Sequence, residues 1–198
     1  TPQQFKYCFQ PLIQHKSFYV SARSITVEEI IENKSFWVNG TYGDGTNCSE
    51  GNPWIKSERE VKKNFQLFND TNAKIRNFIR FAHSKWNTKY VLLGGDTEFI
   101  PCRSFYGYIP DWSAGRIVKS IQASIVSDLY YAGLNGTWND DFDEHFGEES
   151  TFSTVDEADF SAEVLVGRAP VNDVHEVNIF VEKVISYETT EKPKDVQL

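Results

Sequence analysis

The chain predicts an α/β fold, a three-layer sandwich with a mostly parallel sheet, and three observations carry that expectation. Stretches with apolar residues at three- and four-residue intervals alternate with short β-branched runs, the order helix, strand, helix, strand, helix. One run, Lys89-Tyr90-Val91-Leu92-Leu93, is continuous and ends in Gly94-Gly95-Asp96, the pattern of a central parallel strand buried on both faces. The 198 residues are 40% hydrophobic, with fifteen Phe, nine Tyr and five Trp, enough to fill one core. We therefore expect 1–198 to be a single α/β unit, with an acidic loop excursion at about 132–162.

Each element has its local reason. Gln3 to Lys16 reads as a helix with Phe5, Cys8, Phe9, Leu12 and Ile13 on one side, followed by a short extended piece, Phe18 to Ala22. Thr26 is the N-cap of a short helix and Glu29, three residues on, its capping-box partner. Asn39 to Pro53, rich in Gly, Asn, Asp and Thr, reads as a surface loop. A strong helix starts at Asp70 or Thr71, with Ile75, Phe78, Ile79, Ala82 and Trp86 inward and Lys74, Arg76, Asn77 and Arg80 on the other side. Beyond the strand at 89–93, Ile117 to Tyr131 alternates and is β-branched, and Glu163 to Arg168 is a second short strand. The last element, Asn172 to Glu188, is a helix capped at Asn172 or Asp173, with Val174, Val177, Phe180, Val181, Val184 and Ile185 inward.

Charge narrows the function. From Ser120 to Gly167 there is no Lys or Arg, yet eleven carboxylates fall there, in a chain of net charge −8. Hard oxygens this dense either stay solvated or collect a cation, and Ca²⁺ suits them best. The acidic balance, pI near 5.0, excludes nucleic acid, whose phosphates need a cationic face. No apolar run is long enough to span a membrane. Five Asn-X-Ser/Thr sequons, at Asn33, Asn39, Asn47, Asn69 and Asn135, point to an extracellular or cell-surface glycoprotein. Three scattered cysteines, Cys8, Cys48 and Cys102, suit neither a zinc site nor a disulfide scaffold, and four isolated histidines show no ligand spacing.

Gly94-Gly95-Asp96 lies where parallel sheets bind phosphate, but it lacks a third Gly and a Lys, and Glu98 would repel an anion; a tight turn with Asp96 bonding local backbone is the better reading. Cys102 carries no local signature of a nucleophile and reads as a small hydrophobe. Arg168, between a strand and Pro170, is set to grip Asp96 or Asp128 with its fork of donors. Asp128 itself is the one carboxylate of the acidic stretch close to sheet residues, a candidate for orienting a substrate or a neighbouring subdomain.

Several strings then combine: Tyr90-Val91-Leu92-Leu93-Gly94-Gly95-Asp96 with Ile100-Pro101, Ser127-Asp128-Leu129-Tyr130-Tyr131, Gly136-Thr137-Trp138-Asn139, and Glu163 to Val171 ahead of Lys183-Val184-Ile185-Ser186-Tyr187-Glu188. In this order and spacing the chain, from about Phe9 to Glu188, resembles the N-terminal half of the catalytic domain of gingipain-type cysteine peptidases, secreted enzymes of the caspase-like superfamily. The resemblance implies a caspase-like half-domain that begins just after the family's first strand. In that family the nucleophilic Cys and its His come from an Ala-Cys and a Gly-His-Gly motif of the second half, and neither motif occurs in this sequence. No catalytic residue is therefore assigned to the chain, which should not hydrolyse peptides alone. Its partners would be the C-terminal catalytic subdomain of the same polypeptide and, in the full enzyme, protein or peptide substrates.

The resemblance also implies calcium just before the Gly-Arg strand, where Asp159 and Glu163 match the family's ligands, with the Ser161 carbonyl between them. A second candidate set is Asn139, Asp141, Asp143 and Glu148, whose alternating oxygens resemble the start of a calcium loop, although Glu144 stands where the turn-making Gly belongs. Two rival classes remain: a non-enzymatic, calcium-dependent cell-surface or binding module with a peptidase-like fold, and an α/β phosphate- or nucleotide-binding domain using the Gly94-Gly95-Asp96 edge.

Overall fold

A computed structural model describes residues 1–33, 36, 70–113, 116–135, 138–139, 145–147, 156 and 160–190, with no account of the side chains of 108–113 and 116–123. A 3₁₀ turn at Gln3–Phe5 leads to α1 (Gln10–Lys16) and α2 (Val27–Glu32). Helix α3 (Thr71–Trp86) feeds β1 (Tyr90–Gly94), and β2 (Arg103–Ser113) and β3 (Arg116–Ser127) form a hairpin. The short α4 (Leu129–Ala132), β4 (Leu165–Ala169) and α5 (Val174–Thr189) complete the order.

The first helix is shorter than periodicity predicts. Pro11 has no N–H to give a helix interior, so α1 starts at Gln10 and places Pro11 in its first turn. The extended piece expected at Phe18 to Ala22 is a turn from Ser17 to Tyr19 instead. The caps stand as read: the Glu29 N–H donates to Thr26 Oγ1 at 3.1 Å and the Thr26 N–H to Glu29 Oε2 at 2.8 Å. Asp70 Oδ1 accepts from the Ala73 N–H at 2.8 Å, and Asp173 Oδ1 from the Glu176 N–H at 2.8 Å. Asn87, left-handed at φ 54°, closes α3.

β1 and β4 pair in parallel, Tyr90 opposite Leu165 and Gly94 opposite Ala169. Because side chains alternate, Val91, Leu93, Val164 and Val166 face α3 and α4, in one core with Ile75, Ile79, Tyr130 and Trp138. Ala169 and Val171 join the opposite core with Phe5, Phe9, Leu12, Val177 and Val181. Helices thus lie on both faces, the three layers the sequence predicts. Phe9 packs so tightly on Gly94 that a Cβ there would stand 2.7 Å from its ring.

Burial of β1 on both faces does not hold along its length. Tyr90 is 66% exposed, Leu92 45% and Leu165 62%, because the α1/α5 layer reaches only the carboxyl end of the pair. Val174, expected inward, is also exposed. The β2–β3 hairpin is antiparallel and separate from the β1–β4 pair, a second sheet that the strand pattern at 117–131 half announced. Among the described residues no helix is long and apolar enough to cross a membrane.

Candidate functional site

The carboxyl ends of β1 and β4 are tied by one side chain. Arg168, penultimate in β4, donates from Nε to Asp128 Oδ2 at 2.7 Å and from Nη2 to Asp128 Oδ1 at 2.6 Å. Its Nη1 donates to the carbonyls of Gly95 at 2.9 Å and Ile100 at 2.8 Å. The hydrogen bonds to Asp128 raise the guanidinium's pKa, with burial opposing them. Arg168 therefore joins β4, the root of α4 and the turn after β1, and its partner is Asp128 and not Asp96.

Asp96 serves its own turn. Its Oδ1 accepts from the Thr97 N–H at 2.7 Å, and its carbonyl accepts from the N–H groups of Phe99 and Ile100. A phosphate loop needs free N–H groups at this edge. Here the Gly95 N–H goes to the Leu93 and Ala169 carbonyls, and the Asp96 N–H to Val171. With Thr97 committed to Asp96, three successive donors are spent within the fold, which argues against the phosphate-binding rival.

At the opposite end of β4 stands Glu163. Its Oε2 accepts from the Leu134 N–H and its Oε1 from Asn135 Nδ2, both at 2.6 Å. The same 133–135 loop is held from the other side by α3. Arg76 donates to the Gly133 carbonyl from Nε and Nη2, at 3.0 and 2.7 Å, and to the Asn135 carbonyl at 2.8 Å. Arg80 Nε donates to the Leu134 carbonyl at 2.6 Å. Sequence reasoning put both arginines on the outer side of α3; Arg76 and Asn77 are instead fully buried, because this loop, distant in sequence, covers that side. Arg76 also lies over the Tyr130 ring at 4.8 Å, a contact open to a flat, weakly hydrated cation.

Of the first proposed calcium set, Glu163 and Ser161 are described, while Asp159 lies outside the described residues. Of the second set Asn139 is described and fully buried; Asp141, Asp143 and Glu148 lie outside. Among the described residues no three His, Cys, Asp or Glu side chains come together as a metal cluster. The chemistry of the donors still fits a hard cation at Glu163, since a carboxylate offers about four lone-pair sites and the described residues occupy two. Residues 132–162 are not all excursion: Trp138, Asn139, Phe146 and Asp156 are buried.

Sequence reasoning missed three further anchors. Arg103 grips Asp70 with two hydrogen bonds, at 2.7 and 2.9 Å, and stacks between Tyr130 and Phe146. Tyr131 donates its hydroxyl to the Pro101 carbonyl, which Asn72 Nδ2 also reaches at 3.0 Å. Burial pushes the Tyr131 phenol's pKa up, so it remains a donor. His15 is engaged by Glu188 and His83 Nδ1 by the Thr88 carbonyl.

No curated protein and no solved structure matches the chain. A family model does, over residues 1–197, that of peptidase family C25, whose members are cysteine peptidases acting on proteins. With that match spanning essentially the whole chain, and with a mixed helix and strand fold around a parallel sheet, the protein belongs to peptidase family C25, the gingipain family.

Proposed function

We propose that this chain is the non-dyad, N-terminal subdomain of a secreted gingipain-type cysteine endopeptidase, a structural and calcium-binding part that is inactive alone. One observation carries the reading: family membership extends over 1–197, yet no His is flanked by two glycines and no Cys follows an Ala. The nucleophile and base would come from a catalytic subdomain of the same polypeptide, where a thiolate beside an imidazole attacks the scissile carbonyl. This chain's residues hold the frame: Arg168 fixes the carboxyl edge of the sheet through Asp128, and Arg76, Arg80 and Glu163 fix the 133–135 loop at the other. Exposed Tyr90, Leu92 and Leu165 supply apolar surface suited to contact with that subdomain.

Calcium would be held by Asp159, Glu163 and the Ser161 carbonyl, with Asn139, Asp141, Asp143 and Glu148 as the second set. Eleven carboxylates without an intervening cation support this, since a bound Ca²⁺ relieves their mutual repulsion. The test is peptide hydrolysis by the complete protein and by 1–198 alone, with and without a thiol alkylator. Alkylator-sensitive cleavage by the complete protein only is expected. Cleavage by the isolated chain, or a complete protein indifferent to alkylation, would sink the reading.

A further inference from the structure

The hairpin is rooted at the carboxyl edge of the parallel pair and clamped there. β2 leaves just after the 95–102 turn, whose Ile100 and Pro101 carbonyls are bound by Arg168, Asn72 and Tyr131. Its first residue, Arg103, grips Asp70, and β3 returns to Asp128, which Arg168 grips. In open parallel sheets this is the edge at which ligands bind.

The two outer edges of the ribbon differ. The Tyr106 N–H donates outward to the Phe146 carbonyl at 2.9 Å, so the Tyr106–Ser124 pair does not exchange ladder bonds. By alternation Ser104–Val126, Tyr108–Gln122 and Pro110–Ser120 also face outward. β2 is thus blunted twice on its outer edge, by Phe146 and by Pro110, which has no N–H. The β3 edge presents the N–H and C=O groups of Ser120, Gln122, Ser124 and Val126, with no backbone partner for Ser124 or Val126 among the described residues. Ser120 to Ser127 contains no Pro and no charge, the usual guards of an open edge. Beside it Ile125 is 52% and Val126 65% exposed, on opposite faces.

We infer that the outer edge of β3 binds the substrate of the complete peptidase, an extended peptide that adds to the hairpin as a third strand. The inference rests on the peptidase reading above. Main-chain pairing supplies sequence-independent affinity, and side chains flanking the edge supply preference. Beyond the Arg103–Asp70 pair the arm carries Arg116 and Lys119 against Asp111, net positive in a chain of −8. That favours a peptide with carboxylates over the arm of a second copy, which would bring like charge.

The test uses the complete protein and a casein-derived octapeptide containing Glu, compared with two versions N-methylated at alternate amides. Only one alternation meets the edge, so one methylated peptide should show a KM raised about tenfold, the worth of two lost hydrogen bonds. Ser124→Pro should raise the KM of the unmethylated peptide and abolish the difference. With the unaltered protein, the peptide should slow amide hydrogen exchange at Ser124 and Val126. Equal KM for all three peptides with unchanged exchange overturns the inference, as does protection that follows protein concentration without peptide, the mark of a second copy. Hydrolysis of none of the peptides would instead count against the peptidase reading, while the exchange measurement still decides the edge.

Discussion

The two faces of the β1–β4 pair are held to their helices by opposite means. On the α3 side, charge works from inside: Arg76 is fully buried, Arg103 nearly so, and both stack on Tyr130. On the α5 side the interior is apolar, Phe5, Phe9, Leu12, Val177 and Val181, and the charged group made by His15, Lys16 and Glu188 sits at its rim. The same kinds of residue therefore carry different weight. A charge desolvated among carbonyls cannot be removed without stranding them, whereas one at the rim exchanges its partner for water.

The sharpest way to break this comparison is Arg76→Met. It keeps the stem but leaves the Gly133 and Asn135 carbonyls unbonded in the interior, and we expect a loss of about 3 to 5 kcal/mol in urea denaturation. A loss below ~1 kcal/mol would mean that the loop rests on its apolar neighbours, and the contrast between the faces would fail. Arg168→Met, at a site only partly buried, should cost about 2 kcal/mol, and Arg168→Lys should recover little because one ammonium cannot serve a carboxylate and two separate carbonyls.

How much of this was legible varies with the range of the interaction. The caps at Thr26, Asp70 and Asp173 depend on residues three apart and were read directly. So was β1, whose apolar run needs only its own sequence, and the Arg168 clasp was narrowed to two carboxylates by the strand and Pro170 beside it. Arg76 could not be read. Helical periodicity assigns a polar residue to water, and only the fold shows that a loop 57 residues on brings carbonyls to it. The hairpin was half missed because Gly107 and Pro110 weaken the strand pattern of β2, although Pro110 fits an edge position facing away from β3.

Glu163 separates the frame from the metal. Glu163→Gln sets an amide N–H against the donors of Leu134 or Asn135, so it should destabilise by about 1 to 3 kcal/mol even with calcium chelated. Asp159→Asn should leave the chelated melting temperature alone and abolish only the rise that Ca²⁺ produces, since a ligand that binds the folded state stabilises it. Thermal melts of both variants, with chelator and with Ca²⁺, tell the roles apart. No rise with Ca²⁺ in the unaltered protein would remove calcium from the proposal and leave Glu163 as a loop anchor.

The smallest effect belongs to the rim of the α5 side. Glu188 accepts from Lys16 Nζ and, at 2.8 Å, from His15 Nε2; Lys16 first and His15 second lower its pKa from the ordinary 4.5. A carboxylate depressed in the folded state contributes stability above its unfolded value and loses it as pH falls through the folded one. The contribution is therefore complete at neutral pH, starts to fall near pH 4.5, the value for the free carboxyl, and is gone only once pH drops below the lowered folded value. With a third of the side chain exposed it is worth at most ~0.2 to 1 kcal/mol. Glu188→Gln should lower stability by that amount at pH 7, measured by urea denaturation, with the gap closing toward pH 3. A larger gap, or one that stays open in acid, would show that the α5 layer too is fastened by charge, and the two faces would then differ only in degree.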